Sequence, residues 1–168
     1  HQLSGGQRQR IMVARALLPK PRMIIADEPV SMVDASLRAT ILGSLRKLNQ
    51  EFGISVLYIT HDLTTAYQIS QNIYVLYRGS VAEMGSVDEV IGRPKHPYTQ
   101  ALLSAVPIPD PAAKKERIVL KGDVPTPINP PSGCHFHTRC PIAVARCKSE
   151  EPPLRKIADG RDVACHLV

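Results

Sequence analysis

The sequence is poor in aromatic residues and contains no long apolar run. Phe, Trp and Tyr make up 4% of the 168 residues, too few to build a surface on which nucleic-acid bases stack. No stretch approaches the ~20 consecutive apolar residues that span a bilayer, and the first residues lack the basic and apolar regions of a signal peptide. We therefore expect a cytosolic protein. The chain also lacks an initial Met, which predicts that it begins inside a longer reading frame.

Basic residues are in excess but are not concentrated anywhere. The chain has 21 Lys and Arg against 15 Asp and Glu, a net charge of +6, and no run of Lys or Arg exceeds two residues. This distribution indicates a mildly basic surface rather than a nucleic-acid site. The length is sufficient for one modest hydrophobic core and an extension.

Proline and cysteine are distributed unevenly. Of the 15 prolines, 12 lie after residue 90, and all 4 cysteines lie in the Pro-rich final third. This change in composition predicts two parts: a mixed helix and strand region over residues 1–90, and a Pro- and Cys-rich C-terminal extension over residues 91–168.

Hydrophobic periodicity predicts alternating helices and strands. Capping-box spacing occurs at Ser4 with Gln7 and again at Ser86 with Glu89, and Gly53 is placed to end the second helix. The predicted helices cover about 4–18, 35–52, 63–69 and 98–105, and the predicted strands cover 23–26, 54–59, 73–77 and 80–84. Strands that alternate with helices predict an α/β fold with a parallel sheet.

Three polar clusters lie at the ends of these elements. Leu3-Ser4-Gly5-Gly6-Gln7 begins a helix, where glycines let backbone amides approach an anion. Asp27 and Glu28 follow one strand, at a position where carboxylates bind Mg²⁺ or polarise a water. His61 follows the next strand and could contact a phosphate. Taken alone, the glycine cluster is a weak signal that also fits an ordinary capped helix, and the acidic pair also fits a common surface pair. A single histidine at a strand end would, by itself, favour a structural role.

Taken together, the clusters resemble the motifs of the ATP-binding-cassette (ABC) ATPases, which are RecA-like P-loop NTPases. The signature is Leu-Ser-Gly-Gly-Gln-Arg-Gln-Arg at 3–10 and the Walker B segment is Met-Ile-Ile-Ala-Asp-Glu-Pro at 23–29. The D-loop position holds Ser-Met-Val-Asp at 31–34, and Tyr-Ile-Thr-His-Asp at 58–62 contains the switch histidine. Met32-Val33 departs from the more usual Ala-Leu. The resemblance implies the C-terminal part of an ABC ATPase domain.

The resemblance also implies a role for each motif residue. Asp27 would bind Mg²⁺, Glu28 would be the general base, and His61 would contact the γ-phosphate of ATP. A second ABC ATPase subunit, identical or different, would hold the ATP that is closed over by Ser4, Gly5, Gly6 and Gln7. Asp34 would bridge the two subunits.

The phosphate-binding loop is absent from these residues. No Gly-x-x-x-x-Gly-Lys-Ser/Thr string occurs in the 168 residues, although this loop is the cradle on which ATP hydrolysis depends. We expect the complete protein to be an ATPase and residues 1–168 alone to be inactive. The same truncation of the sheet predicts an exposed apolar face.

The segment Pro94-Lys95-His96-Pro97-Tyr98-Thr99-Gln100-Ala101-Leu102-Leu103 resembles the His-Pro-Tyr segment of oligopeptide and dipeptide importers. The resemblance implies a peripheral protein on the cytoplasmic face of the membrane. Its partners would be integral membrane permease subunits and, indirectly, an extracytoplasmic solute-binding protein, with no nucleic acid. Related importers also carry oligosaccharides and metal ions, so the sequence leaves the substrate open.

Two other classes of function are considered. The soluble ABC ATPases of DNA repair and chromosome maintenance share the nucleotide motifs but would not carry the His-Pro-Tyr segment or the cysteine tail. A stand-alone metal-binding module would leave the ATPase motifs unexplained. Both alternatives therefore account for fewer residues than the importer interpretation.

The four cysteines suggest a metal or cluster site. Cys134, Cys140, Cys147 and Cys165 are separated by five, six and seventeen residues, without the Cys-x₂-Cys knuckles of a zinc ribbon. Four thiolates suit Zn²⁺ or an iron–sulfur cluster. The tail resembles that of the importer ATPases, which implies a [4Fe–4S] cluster in some members. Zn²⁺, with His135 and His137 as alternative ligands, and four unlinked thiols both stay open.

Overall fold

Two compact units make up the chain, one up to Ser70 and the other from Gln71 onward. The computed structural model describes residues 3–31, 33–107, 117–126 and 128–168. Within these ranges, no helix is both long enough and apolar enough to cross a lipid bilayer.

The first unit alternates helices with parallel strands. Its elements are α1 (Gly5–Leu17), β1 (Met23–Asp27), α2 (Ala35–Phe52), β2 (Ser55–Ile59) and α3 (Leu63–Ile69). Strands β1 and β2 run parallel, with Met23 opposite Ser55 and Asp27 opposite Ile59. The α/β class and the parallel pairing predicted from the sequence are confirmed.

Local sequence determines where α1 begins and α2 ends. The Ser4 hydroxyl accepts a hydrogen bond from the backbone N–H of Gln7 at 3.3 Å, and the Gln7 side-chain oxygen accepts one from the Ser4 N–H at 2.9 Å. This reciprocal pair satisfies amides that the helix leaves free and confirms the predicted capping box. Gly53 ends α2 in the left-handed region, with φ of 65°.

The core of the first unit lies between α2 and one face of the two strands. Its buried apolar residues are Ala26, Val30, Ile41, Leu42, Leu45, Leu48 and Ile54. Alternate strand residues point the other way, and four of them are 44% to 61% exposed: Met23, Ile25, Leu57 and Ile59. The exposed apolar face expected from the sequence is therefore confirmed.

The second unit contains an antiparallel sheet and short helices. Its elements are β3 (Asn72–Tyr77), β4 (Ser80–Ser86), α4 (Val87–Gly92), α5 (Pro97–Ser104), α6 (Arg146–Ser149), β5 (Arg155–Lys156) and β6 (Asp162–Val163). The strands are ordered β3-β4-β6-β5. Arg78 and Gly79 form the predicted hairpin turn, both with positive φ, as a tight turn between twisted strands requires.

The tail joins the hairpin through β6, which the sequence did not predict. Glu83 of β4 pairs with Val163 of β6, so the hairpin and the tail share one sheet and the contacts divide the chain after Ser70. The predicted boundary at residue 90, between the ATPase part and the C-terminal extension, concerns function and stays a prediction. The capping box predicted at Ser86 and Glu89 is wrong: Ser86 precedes α4, but its side chain makes no capping hydrogen bond.

A buried ion pair fixes the tail against the hairpin. Glu83 and Arg161 are 0% and 1% exposed, and Arg161 Nη1 lies 3.3 Å from Glu83 Oε1. Two buried charges are tolerated when hydrogen bonds satisfy their remaining atoms. The carboxylate of Glu83 also accepts from the backbone N–H groups of Lys95 and His96.

The guanidinium of Arg161 is satisfied on its other sides. It donates to the backbone carbonyls of Glu89 and Arg93 at 2.7 and 2.6 Å, where α4 ends. It also pairs with Asp159, and the hydrogen bond from Arg161 lowers the pKa of Asp159 to about 2. One side chain therefore ties β4, the end of α4 and the tail together.

Candidate functional site

The structure brings Glu28 and His61 into direct contact. Strands β1 and β2 are parallel and in register up to Asp27 and Ile59, so the residues that follow them emerge at the same edge of the sheet. The Nδ1–H of His61 donates to Glu28 Oε1 at 2.7 Å. Because a carboxylate only accepts, this bond places a proton on Nδ1. The other ring nitrogen remains for a further partner.

The backbone of Glu28 has an unusual conformation that was not predicted from the sequence. Its φ is 42°, in the left-handed region that residues other than glycine rarely adopt. The Glu28 N–H donates to the Ile59 carbonyl at 2.9 Å, and the Ser31 hydroxyl donates to the Glu28 carbonyl at 3.0 Å. Such strained residues concentrate at functional sites. Here the bonds to Ile59 and Ser31 hold the turn.

Two further carboxylates predicted from the motifs lie on the surface of this unit. Asp27 ends β1 and Asp34 is the N-cap residue of α2, and both are exposed. The Asp34 side chain makes no capping hydrogen bond. Among the described residues, neither carboxylate forms a hydrogen bond or ion pair, so both are available to an external cation or partner.

Asp62, which follows the histidine, has a structural role. Its side chain accepts hydrogen bonds from Thr64 N and Thr65 N at 2.9 and 3.4 Å and so begins α3. It also lies 3.6 Å from the Arg38 guanidinium. These contacts anchor the residue next to His61. The sequence did not predict the link to Arg38, because it joins two helices that are distant in the chain.

The Ser4, Gly5, Gly6 and Gln7 group sits at the start of α1, as predicted. Gly6 is buried, and a Cβ atom there would lie 2.5 Å from Cδ1 of Leu37, so this glycine also allows α1 to pack near α2. In the described part of the chain, no hydrogen bond or ion pair links this group to Glu28 or His61. The arrangement is compatible with the two clusters acting on different nucleotides.

The cysteine-bearing segments approach one another closely in the second unit. Cys134 N–H donates to the Cys147 carbonyl at 2.9 Å. The neighbouring Gly133 has φ of 70°, and a Cβ there would lie 2.5 Å from the same Cys147 carbonyl oxygen. Only glycine fits this position without moving backbone. All four cysteines are free of disulfides.

Burial and repulsion between thiols both act on the pKa of Cys134 and of Cys140. Burial is the main cause that raises these two pKa values, and repulsion from Cys147 and Cys165 raises both further. The described residues nevertheless contain no group of three or more His, Cys, Asp or Glu side chains arranged to hold a metal ion. In the described part of the chain, the four thiols are therefore not arranged as a complete set of metal ligands.

Comparison with known families identifies matches at both ends of the chain. Residues 1–31 match the family described as "ABC transporter", and residues 82–147 match "Oligopeptide/dipeptide transporter, C-terminal region". A solved structure, the ADP conformation of MJ1267, an ATP-binding cassette of an ABC transporter, is also similar. It is 30% identical with a TM-score of 0.52, over 59% of this chain and 40% of that one.

Curated relatives match nearly the whole chain. A probable peptide ABC transporter ATP-binding protein, y4tS of Sinorhizobium fredii, is 51% identical over 99% of this chain and 47% of its own length. A putative oligopeptide transport ATP-binding protein, YkfD of Bacillus subtilis, is 50% identical over 99% of this chain and 51% of its own length. The chain therefore spans about half the length of the curated relatives it matches.

Proposed function

Since this chain belongs to the ABC transporter ATP-binding proteins of the oligopeptide/dipeptide type, we propose that the complete protein is the ATP-hydrolysing subunit of an importer for peptides or related solutes. The observation that carries the proposal is the 2.7 Å contact between His61 and Glu28. It lies at the edge of a parallel sheet where nucleotides and metal ions bind in α/β folds.

Glu28 is the general base in this proposal. Its carboxylate takes a proton from the attacking water as the water oxygen bonds to the γ-phosphorus and the bond to ADP breaks. His61 holds the carboxylate through Nδ1–H. Its other ring nitrogen would contact a phosphate oxygen only when it also carries a proton, because a phosphate oxygen accepts and does not donate. Asp27 would hold Mg²⁺, because it is an exposed carboxylate beside the base, and hard oxygen ligands suit this ion. When bound, Mg²⁺ would supply positive charge that offsets the charge of the phosphates.

A second ABC ATPase subunit completes each nucleotide site. Ser4, Gly5, Gly6 and Gln7 present the start of α1 to the triphosphate held by that subunit, because amides at a helix N-terminus favour anions. Asp34, whose carboxylate is unused by its own helix, contacts the second subunit. The cradle for the β- and γ-phosphates comes from a part of the protein outside these 168 residues.

Purification of the complete protein from membranes tests the importer assignment. We expect integral membrane permease subunits to copurify with it, and magnesium-dependent ATPase activity in the complex to rise with the solute-binding protein and its solute. A soluble ABC ATPase of DNA repair or chromosome maintenance would instead remain in the soluble fraction and respond to DNA. That outcome would contradict the importer proposal while leaving the ATPase proposal intact.

The four cysteines form the second part of the proposal. We infer that Cys134, Cys140, Cys147 and Cys165 bind a [4Fe–4S] cluster, with Zn²⁺ as the alternative occupant. In support, the four cysteines form no disulfide, and the segments of Cys134 and Cys147 are in backbone contact beside Gly133. Burial, followed by repulsion from other thiols, raises the pKa of Cys134 and Cys140. A bound cation would favour the thiolates that burial now disfavours.

Metal analysis of the complete protein, purified without oxygen, tests the cysteine site. We expect about four iron atoms and four sulfides per chain, and loss of both in Cys147→Ser. Cys147 is the most buried of the four cysteines, so its replacement by serine leaves the protein surface almost unchanged. Zinc without sulfide would identify Zn²⁺ as the occupant of the site. Protein that retains neither iron nor zinc and has four titratable thiols would overturn the site.

A further inference from the structure

His96 is a buried side chain whose ring contacts two different parts of the chain. It is 3% exposed, and its Nδ1 accepts a hydrogen bond from the Tyr98 N–H at 3.0 Å, which caps α5. Burial lowers the pKa of His96 to about 4, and a backbone hydrogen bond with Ala164 partly opposes this shift. The ring is therefore neutral near pH 7, with one nitrogen to accept and one to donate.

The same ring touches a second part of the tail. Phe136 is 1% exposed, and its ring centroid lies 5.8 Å from that of His96. Tyr77 and Tyr98 pack around Phe136 at 5.1 and 5.5 Å. Phe136 lies between Cys134 and Cys140 in the sequence, so this aromatic cluster fixes the segment that carries these two cysteines.

The Ala164 contact fixes the other cysteine-bearing segment. Ala164 immediately precedes Cys165, and its N–H donates to the Ala82 carbonyl at 2.9 Å. A cavity of about 330 Å³ is lined jointly by His96, Cys134, Phe136 and Ala164, among others. The imidazole therefore stands between two segments that lie far apart in the sequence and face the same cavity.

Cys147 is held independently of this histidine. Its carbonyl accepts from the Cys134 N–H at 2.9 Å, a contact that involves neither His96 nor Ala164. Cys165 has two further restraints: Arg155 donates to its carbonyl at 3.4 Å, and the N–H of the adjacent Ala164 donates to the Ala82 carbonyl. A change at His96 should therefore loosen Cys165 relative to Cys134 and Cys140 and leave the Cys134 to Cys147 contact in place.

We propose that His96 is a positioning residue for the cysteine site: its ring lies between Phe136 and Ala164 and so holds the segment that carries Cys165 against the segment that carries Cys134 and Cys140. The proposal rests on the assignment of the four cysteines as a ligand set. It gives the histidine of the His-Pro-Tyr segment a role in assembling that set, in addition to capping α5.

The test is thiol bridging in the complete protein with His96→Asn. Asparagine keeps an acceptor that caps α5, but it has no ring to contact Phe136, and its amide group is too short to reach Ala164 while its oxygen caps the helix. After chelation and reduction, dibromobimane bridges thiols that lie close together, and peptide mapping identifies the bridged pairs. We expect bridges from Cys165 to Cys134 or Cys140 to fall about two- to tenfold, the effect of one lost hydrogen bond. The Cys134 to Cys147 bridge should be unchanged.

The matched control is Gln100→Ala, which removes hydrogen bonds to the Pro94 and Lys95 carbonyls at the start of α5 without touching a cysteine segment. Unchanged bridging from Cys165 in His96→Asn would overturn the proposal. So would an equal loss of all bridges together with a lower melting temperature, because that pattern indicates general destabilisation. Wild-type protein that holds no metal yet bridges normally would refute only the metal assignment.

Discussion

We expect Glu28→Gln in the complete protein to retain ATP binding and to lose steady-state ATPase activity by about 10²–10⁴-fold, the usual cost of removing a general base. Glutamine has nearly the same shape, and its side-chain oxygen still accepts the hydrogen bond that His61 donates at 2.7 Å. The variant therefore keeps the geometry of the site and loses only the capacity to take a proton. Phosphate release measures the loss, and equilibrium binding of labelled ATP measures the retained affinity.

Glu51→Gln is the matched control for this change. Glu51 is exposed in the last turn of α2, so the same loss of charge occurs away from the sheet edge, and its activity should equal that of the wild type. Near-normal turnover in Glu28→Gln would show that another group accepts the proton and would remove Glu28 from the mechanism.

We expect Gly5→Asp to abolish hydrolysis by preventing closure on the second subunit's ATP. The variant places a carboxylate where the triphosphate should meet the start of α1, and like charges in a closing interface repel strongly. An acidic residue in the first turn of a helix is favourable for the helix itself. The loss should therefore arise from the interface, and the variant should still bind ATP in its own phosphate loop.

Gly43→Asp is the matched control, because it adds the same charge away from the start of α1. Gly43 lies on the exposed side of α2, and a Cβ there meets no atom within 4 Å. This control should hydrolyse ATP at the wild-type rate. If Gly5→Asp lost ATP binding to its own subunit but still associated with the second one, the residues at the start of α1 would not act across the interface.

Local patterns predicted the first unit well because its elements follow from short-range chemistry. The capping box at Ser4 and Gln7 is present atom for atom, and Gly53 ends α2 as predicted. The sequence placed Glu28 and His61 after two strands of one parallel sheet, and the structure brings them into contact because these strands end at the same edge. The fold is the C-terminal part of an ABC ATPase domain, as the motifs indicated.

Long-range contacts were not predictable in the same way. The buried pair of Glu83 and Arg161 joins residues 78 apart, and nothing near either residue in the sequence signals its partner. Strands β5 and β6 have two residues each, too short for any periodicity. The left-handed backbone conformation of Glu28 was also not predictable, because tertiary contacts impose this conformation on a residue type that does not favour it.

The cysteine tail was predictable only in part. Spacing alone left cluster, zinc and free thiols open, since a ligand set depends on distances that composition does not encode. The structure adds the close approach at Gly133 and the link through His96, both of which depend on residues far outside the cysteine motif.

The molar mass of the purified ABC ATPase subunits in the presence of ATP, measured by light scattering, tests the central claim most directly. Glu28→Gln should trap ATP unhydrolysed, so its mass should rise from that of one subunit to that of a pair. The double variant Glu28→Gln with Gly5→Asp should bind ATP and keep the mass of one subunit. Pairing that persists in the double variant would contradict the claim that Glu28 and the start of α1 act on ATP from opposite subunits.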